Sequence, residues 1–151
     1  MNFPRILKKR KGYIVRIKPF MQKSVVKVLT GQRRVGKSFL LYQLIEEILA
    51  EEPDANIIYV NLEDFTFSSL QTAEDLHSYI ISHSKEKVKN YIFIDEIQDI
   101  PGFEKVIRSL LLNEDNDIYI TGSNAKMLSG ELATYLSGRY IEFKIYSLSY
   151  S

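Results

Sequence analysis

Short apolar runs alternate along the chain with longer stretches in which apolar residues return every three or four positions. The runs Val25–Thr30, Asn56–Asn61, Tyr91–Ile94, Asp117–Thr121 and Arg139–Ile145 are rich in β-branched and aromatic residues and read as five strands. Between them, Phe39–Leu49 carries apolar residues at 40, 41, 44, 45 and 48, the stripe of a helix. Thr72-x-x-Asp75 has the form of a capping box and opens a helix with Leu76, Tyr79 and Ile80 on one face. Pro101 suits the first position of a helix whose stripe is Phe103, Val106, Ile107, Leu110 and Leu111. A further helical stretch runs to about Leu136, and Tyr13, Ile14, Ile17 and Phe20 are spaced for a short N-terminal helix ended at or near Pro19. Glu51–Ala55 reads as a breaker-rich loop, Phe65–Leu70 as irregular and Lys85–Asn90 as a solvated turn. Strands separated by helices predict an α/β fold in three layers, a parallel five-stranded sheet with helices on both faces.

Between the first strand and its helix lies Gly31-Gln32-Arg33-Arg34-Val35-Gly36-Lys37-Ser38, which matches the phosphate-binding pattern G-x-x-x-x-G-K-[ST]. Glycine is needed where the backbone turns left-handed and approaches phosphate oxygens, a place a Cβ would fill. Lys37 would reach the β- and γ-phosphates, the Ser38 hydroxyl would ligate Mg²⁺, and the helix N-terminus around Gly36 to Phe39 would face the anion. The motif sits between strand and helix, the order this chemistry requires.

Ligands of parallel α/β sheets lie beyond the carboxyl ends of the strands. Four polar clusters fall at such ends: the loop at 31–38, Asn61-Leu62-Glu63-Asp64, Asp95-Glu96 and Thr121-Gly122-Ser123-Asn124. Asp95 ends a buried strand and is the candidate acid on the magnesium side. Glu96, beside it but pointing elsewhere, is the candidate carboxylate that polarises an attacking water. Ser123 or Asn124 could hydrogen-bond a γ-phosphate or the water, although Gly-Ser-Asn equally suits a turn and helix cap. Arg139, after Ser137-Gly138, could neutralise transition-state charge across a subunit boundary, or could be a structural arginine. Arg33 and Arg34 could flank the phosphates, or face solvent. His77 and His83 have no second ligand at metal spacing.

The composition, 45% apolar and 26% charged over 151 residues, is that of one globular domain. With no cysteine, neither a disulfide framework nor a zinc-thiolate site is available. No apolar run is long enough to span a bilayer and no apolar segment follows the basic N-terminus, so no membrane association is expected and the cytoplasm is the expected location. The net charge of +1 conceals a bias: residues 1–23 hold eight Lys or Arg and no acid. Such an arm can bind nucleic acid, or can equally be a solvated helix face or a patch that docks on an acidic neighbour, and no aromatic platform or recognised nucleic-acid motif accompanies it. The domain division expected is a basic N-terminal helical segment over 1–23 and a nucleotide-binding core over 24–151.

Together, Gly31–Ser38, Phe93-Ile94-Asp95-Glu96-Ile97-Gln98-Asp99-Ile100-Pro101-Gly102-Phe103-Glu104-Lys105, Thr121–Leu128 and Leu136-Ser137-Gly138-Arg139-Tyr140 resemble the AAA-type ATPase domain of a large, poorly characterised bacterial and archaeal group. In that group the ATPase domain precedes a C-terminal domain of unknown function. The resemblance implies the AAA-type sheet order 5-1-4-3-2 and an acid-glutamate pair serving ATP and Mg²⁺. It departs at the end. The group continues through a leucine-x-proline-leucine-serine-phenylalanine-like segment, whereas here Ile145-Tyr146-Ser147-Leu148-Ser149-Tyr150 lacks the proline and phenylalanine and the chain stops one residue later. A chain truncated before the C-terminal domain is therefore expected, with weak self-association.

Read this way, the residues expected to hold nucleotide are Gly31 to Phe39. Ser38 and Asp95 serve the metal; Lys37, Glu96, Asn124 and Arg139 serve the chemistry. No Asn-Lys-x-Asp element for guanine occurs, which favours ATP over GTP. Two alternatives to hydrolysis stay open: a nucleotide-operated binding switch with negligible turnover of its own, and a P-loop kinase of small molecules.

Overall fold

A computed structural model describes residues 11–32, 36–123 and 131–146. Five strands form one parallel sheet: β1 (Val26–Thr30), β2 (Asn56–Asn61), β3 (Asn90–Asp95), β4 (Asn116–Gly122) and β5 (Tyr140–Lys144). Their order across the sheet is β2-β3-β4-β1-β5, the order the resemblance implied. The helices are α1 (Lys11–Ile17), α2 (Lys37–Glu51), α3 (Ala73–His83), α4 (Phe103–Leu110) and α5 (Glu131–Leu136), with single 3-10 turns at Lys18–Phe20, Phe65–Phe67 and Ile97–Asp99.

The strands β1, β3 and β4 are buried along their whole length, which is why their sequences run apolar without alternation. Period two reappears in what each face touches. Val28, Ile92, Ile94, Ile118 and Ile120 pack with Leu76 and Ile80 of α3, Phe103, Val106, Ile107 and Leu110 of α4, and Leu132 and Leu136 of α5. Leu29, Tyr91, Phe93, Tyr119 and Phe143 face Ile14 and Ile17 of α1 and the α2 stripe Leu40, Leu41, Leu44, Ile45 and Ile48. The helices α1, α2, α3 and α4 therefore dock by residues of the stripes their sequences predict.

Two local expectations are corrected, and one buried charge is added to the picture. Pro101 does not begin α4: Gly102, at φ 78°, holds the left-handed cap position and the helix starts at Phe103. The turn at 85–90 is not solvated at its end. Asn90 is buried at the start of β3, where its Oδ1 accepts from Asn56 Nδ2 at 2.7 Å and from the Lys85 amide at 2.9 Å. The first strand is not wholly apolar within, because Lys27 is fully buried. Its ammonium pairs with buried Asp117 of β4, lies 4.8 Å over the Tyr119 ring and donates to the Val25 carbonyl at 2.9 Å. Tyr119 and the Gln22 amide donate to the other oxygen of Asp117, at 2.7 and 3.0 Å, so both charges are satisfied. Burial holds the Lys27 ammonium below its ordinary pKa, although the Asp117 charge opposes this.

The capping box at Thr72 is present: the Thr72 hydroxyl accepts from the Asp75 amide and the Asp75 carboxylate from the Thr72 amide, both at 3.1 Å. The part of the fifth helix expected over 124–130, and the chain beyond Tyr146, lie outside the described residues. Among the described residues no helix is long and apolar enough to cross a membrane.

Candidate nucleotide site

The β1 strand delivers the chain to Gly31 at the carboxyl edge of the sheet, and α2 leaves from Gly36. Gly36 takes φ 91°, a left-handed position that a side chain would strain, and its carbonyl accepts the first helical bond from Leu40 at 3.0 Å. The next residue, Lys37, is buried. Its ammonium donates to the Gly31 carbonyl at 2.6 Å, the Gly122 carbonyl at 3.1 Å and the Ser123 hydroxyl at 3.0 Å. It also lies 3.4 Å from Glu96 Oε1. The lysine thus ties the ends of β1 and β4 together.

Asp95 ends β3 with no exposed surface. One of its oxygens accepts from Thr121 Oγ1, at the end of β4; the other accepts from Ser38 Oγ and, at 3.3 Å, from the Tyr59 hydroxyl of β2. Tyr59 in turn stands 3.2 Å from the Tyr42 hydroxyl of α2. Burial, then the Asp95 charge, push the Tyr59 phenol far above its ordinary pKa, so it remains a donor.

Glu96 is a buried non-glycine residue at φ 60° and ψ 50°, a left-handed conformation that costs of order 1–3 kcal/mol and aims its side chain away from Asp95. Its amide donates to Thr121 Oγ1 at 2.9 Å, so one threonine binds both acidic residues. Its carboxylate accepts from Ser123 Oγ at 2.7–2.8 Å and from Gln98 Nε2 at 2.6 Å. Burial opposes its ionisation, but the Gln98 and Ser123 hydrogen bonds and the Lys37 charge outweigh that and hold it below the usual glutamate range. It is a carboxylate at neutral pH.

The structure therefore brings together Gly31, Gly36, Lys37, Ser38, Asp95, Glu96 and Ser123, drawn from three strand ends and one helix N-terminus. Gln32 is exposed beside them, and Phe39 is partly exposed with its ring 6.5 Å from that of Tyr42. Arg33, Arg34, Val35 and Asn124 lie outside the described residues. Arg139 is not brought to the site of its own chain. It is exposed, and its carbonyl accepts from the Val26 amide at 3.0 Å, at the opposite end of β1. Five residues of strand put it roughly 16 Å from the loop. The two histidines sit on α3, with His83 Nδ1 2.8 Å from the Tyr79 carbonyl and His77 Nε2 3.3 Å from Ser109 Oγ.

Sequence reasoning passed over Tyr59, Tyr42 and the part played by Thr121. Gln98 entered only as part of the resemblance. Tyr59 was visible as a polar-tipped residue inside the β2 run, two positions before its carboxyl end, and that is the only signal the sequence offers.

A family model described as an AAA domain matches residues 23–151. The chain belongs to the AAA domain family. An uncharacterized protein of Haemophilus influenzae is 43% identical over 148 residues, covering 93% of this chain and 36% of its own length. One from Methanocaldococcus jannaschii is 36% identical over 126 residues, covering 83% of this chain and 27% of its own. The chain thus spans about a third of the length of the curated relatives it matches. Among solved structures, Caenorhabditis elegans PCH-2 superposes with a TM-score of 0.64 at 13% identity, over 99% of this chain and 45% of that one. The Aeropyrum pernix ORC1 protein, solved in complex with DNA, gives 0.62 at 13% identity, over 98% and 47%. At such identities the likeness concerns the fold, which is that of the AAA+ P-loop ATPases. The AAA domain is accordingly a nucleotide-binding, ATPase-type domain.

The residues present fit a magnesium ion. A serine hydroxyl at the first turn of α2 already bonds a buried carboxylate. Among the described residues no group of three His, Asp or Glu side chains could cage an ion. A cation here would rely on nucleotide phosphates and water, the usual manner of Mg²⁺.

Proposed function

We propose that this AAA domain binds ATP with Mg²⁺ and hydrolyses it to ADP and phosphate. The carrying observation is that Lys37, Ser38, Asp95, Glu96 and Ser123 converge at one edge of the sheet, with Glu96 ionised. Residues Gly31 to Phe39 would cradle the phosphates with backbone N–H groups, and Lys37 would turn from the carbonyls of Gly31 and Gly122 toward the β- and γ-oxygens. Ser38 and Asp95 would hold Mg²⁺, which supplies charge neutralisation on the phosphates. Glu96 would orient the water whose oxygen bonds the γ-phosphorus, accepting its proton as the bond to the β–γ bridging oxygen breaks. Ser123, which donates to the Glu96 carboxylate, would steer it. Asn124 would contact the γ-phosphate, and Arg139 would act on a neighbouring copy.

One observation favours a second reading, a nucleotide-operated switch with little turnover alone. The Glu96 carboxylate is engaged by Ser123, Gln98 and Lys37 of its own chain, so it must be released before it can meet a water. The test is parallel measurement of fluorescent ATP-analogue binding and of phosphate release, with and without Mg²⁺, for wild type and Lys37→Ala. Mg²⁺-dependent release lost in Lys37→Ala supports hydrolysis, and binding without release supports the switch. Turnover only with a small-molecule acceptor indicates a kinase, and a wild type that binds no analogue overturns the assignment.

A further inference from the structure

The Tyr59 hydroxyl has one hydrogen and two acceptors at almost equal distance, Asp95 Oδ2 at 3.3 Å and the Tyr42 hydroxyl at 3.2 Å. It can serve only one at a time. Asp95 Oδ2 also takes the Ser38 hydroxyl, while Oδ1 takes Thr121, and the carboxylate has no exposed surface. Ser38 and Tyr59 therefore use the two lone-pair sites of Oδ2. A cation ligated by Ser38 Oγ would lie next to that same oxygen, because Ser38 donates to it. A hydrated cation offers the carboxylate water hydrogens, and these need the lone pair that Tyr59 covers.

We propose that Tyr59 is a stand-in for the hydration shell of the metal and that Tyr42 is the acceptor to which it retreats, the pair setting how strongly Mg²⁺ and nucleotide binding are coupled. The inference rests on the functional reading above and adds two positioning residues to it. Without the ion, the Tyr59 hydrogen keeps a buried carboxylate satisfied, a group that is costly to leave unpaired. With the ion, rotation about one C–O bond transfers that hydrogen to Tyr42 and frees Oδ2. The rings stay packed throughout, with centroids 5.3 Å apart.

Two removals of one oxygen atom then have opposite effects. Tyr59→Phe abolishes the competitor and leaves Asp95 short of a donor until the ion arrives, so the Mg²⁺ response must strengthen. Tyr42→Phe abolishes the retreat, so the Tyr59 hydrogen stays on Asp95 and the response must weaken. The double variant must behave as Tyr59→Phe, because the retreat is irrelevant once nothing retreats. A merely structural role would move both single variants the same way.

The experiment is titration of a fluorescent ATP analogue into the full chain in EDTA and in Mg²⁺, taking the ratio of the two dissociation constants. The expected ratio rises about fivefold in Tyr59→Phe and falls about fivefold in Tyr42→Phe, the factor an ordinary hydrogen bond carries. Circular dichroism accompanies each titration. Should Tyr59→Phe be recovered unfolded, Tyr42→Phe alone decides, since it must still weaken the response. Single variants that shift together, or neither shifting, overturn the proposal while nucleotide binding stands. A wild type whose analogue binding is absent or indifferent to Mg²⁺ overturns the functional reading and this assignment with it.

Discussion

The Thr121 hydroxyl donates to the Asp95 carboxylate while its oxygen takes the amide of the next residue, Glu96. A single side chain at the end of β4 thereby fixes the carboxylate of one acid and the backbone of the other. It also helps to explain how Glu96 is kept left-handed, since the amide is anchored at 2.9 Å just where the chain leaves the sheet.

Thr121→Val keeps the shape and removes both bonds. It leaves a buried carboxylate and a buried amide each short of a partner, at a cost of about 1–3 kcal/mol in unfolding free energy. Urea denaturation measures this. Thr121→Ser should restore most of the loss, because the hydroxyl returns. A valine variant as stable as wild type would show that neither bond matters.

The adjacent acids differ in what they face, and their variants should differ accordingly. Glu96→Gln keeps the shape and loses the base, so analogue binding should persist while phosphate release falls by about 10²-fold or more. Asp95→Asn should instead weaken the Mg²⁺ dependence of binding, since the carboxylate bonded to Ser38 is the one removed. Measuring both quantities on both variants checks the assignment. The reverse pattern would exchange the two roles.

Lys27 and Asp117 form a buried pair at the opposite edge of the sheet from the nucleotide loop. Lys27→Met leaves the Asp117 charge in the core with Tyr119 and the Gln22 amide as its remaining donors among the described residues, a change that costs about 3–5 kcal/mol. Asp117→Leu in the same chain should recover much of it, since no charge then remains unpaired. Equilibrium unfolding of the single and double variants decides; a single variant within 1 kcal/mol of wild type would mean that the pair is dispensable.

That pair also marks where sequence reading reached its limit. Five strands and the helical stripes were legible because burial on both faces forces apolar runs and one-sided packing forces period 3.6, as in Val106, Ile107 and Leu110. Lys27 was not, because a lysine between valines reads as a tolerated interruption unless its partner, 90 positions later, is known to adjoin it. Within the site, Lys37, Ser38, Asp95 and Glu96 were legible from motif and strand end. The tyrosine pair was not: Tyr42 sits on a helix and Tyr59 on a strand, and only the folded chain brings their hydroxyls to 3.2 Å. Pro101 was misread because Gly102 takes a left-handed turn, a backbone choice that composition permits but does not announce.

Arg139 poses the remaining test. It follows Gly138, itself left-handed at φ 78°, and enters β5 at the end of the sheet remote from the chain's own loop. Its backbone stands roughly 16 Å from the loop, farther than an arginine side chain extends, and the residue is exposed, so it could meet a nucleotide bound by a second copy. If it does, activity depends on assembly, and phosphate release per molecule should rise with protein concentration. An Arg139→Ala chain retains the phosphate loop, and a Lys37→Ala chain retains the arginine. Each should be nearly inactive alone, and the mixture should recover part of the wild-type rate because mixed contacts contain one intact pair. Phosphate release over a concentration series, with the two variants separate and mixed, reads this directly. A flat specific activity and an inactive mixture would make Arg139 a structural residue of the α5–β5 corner.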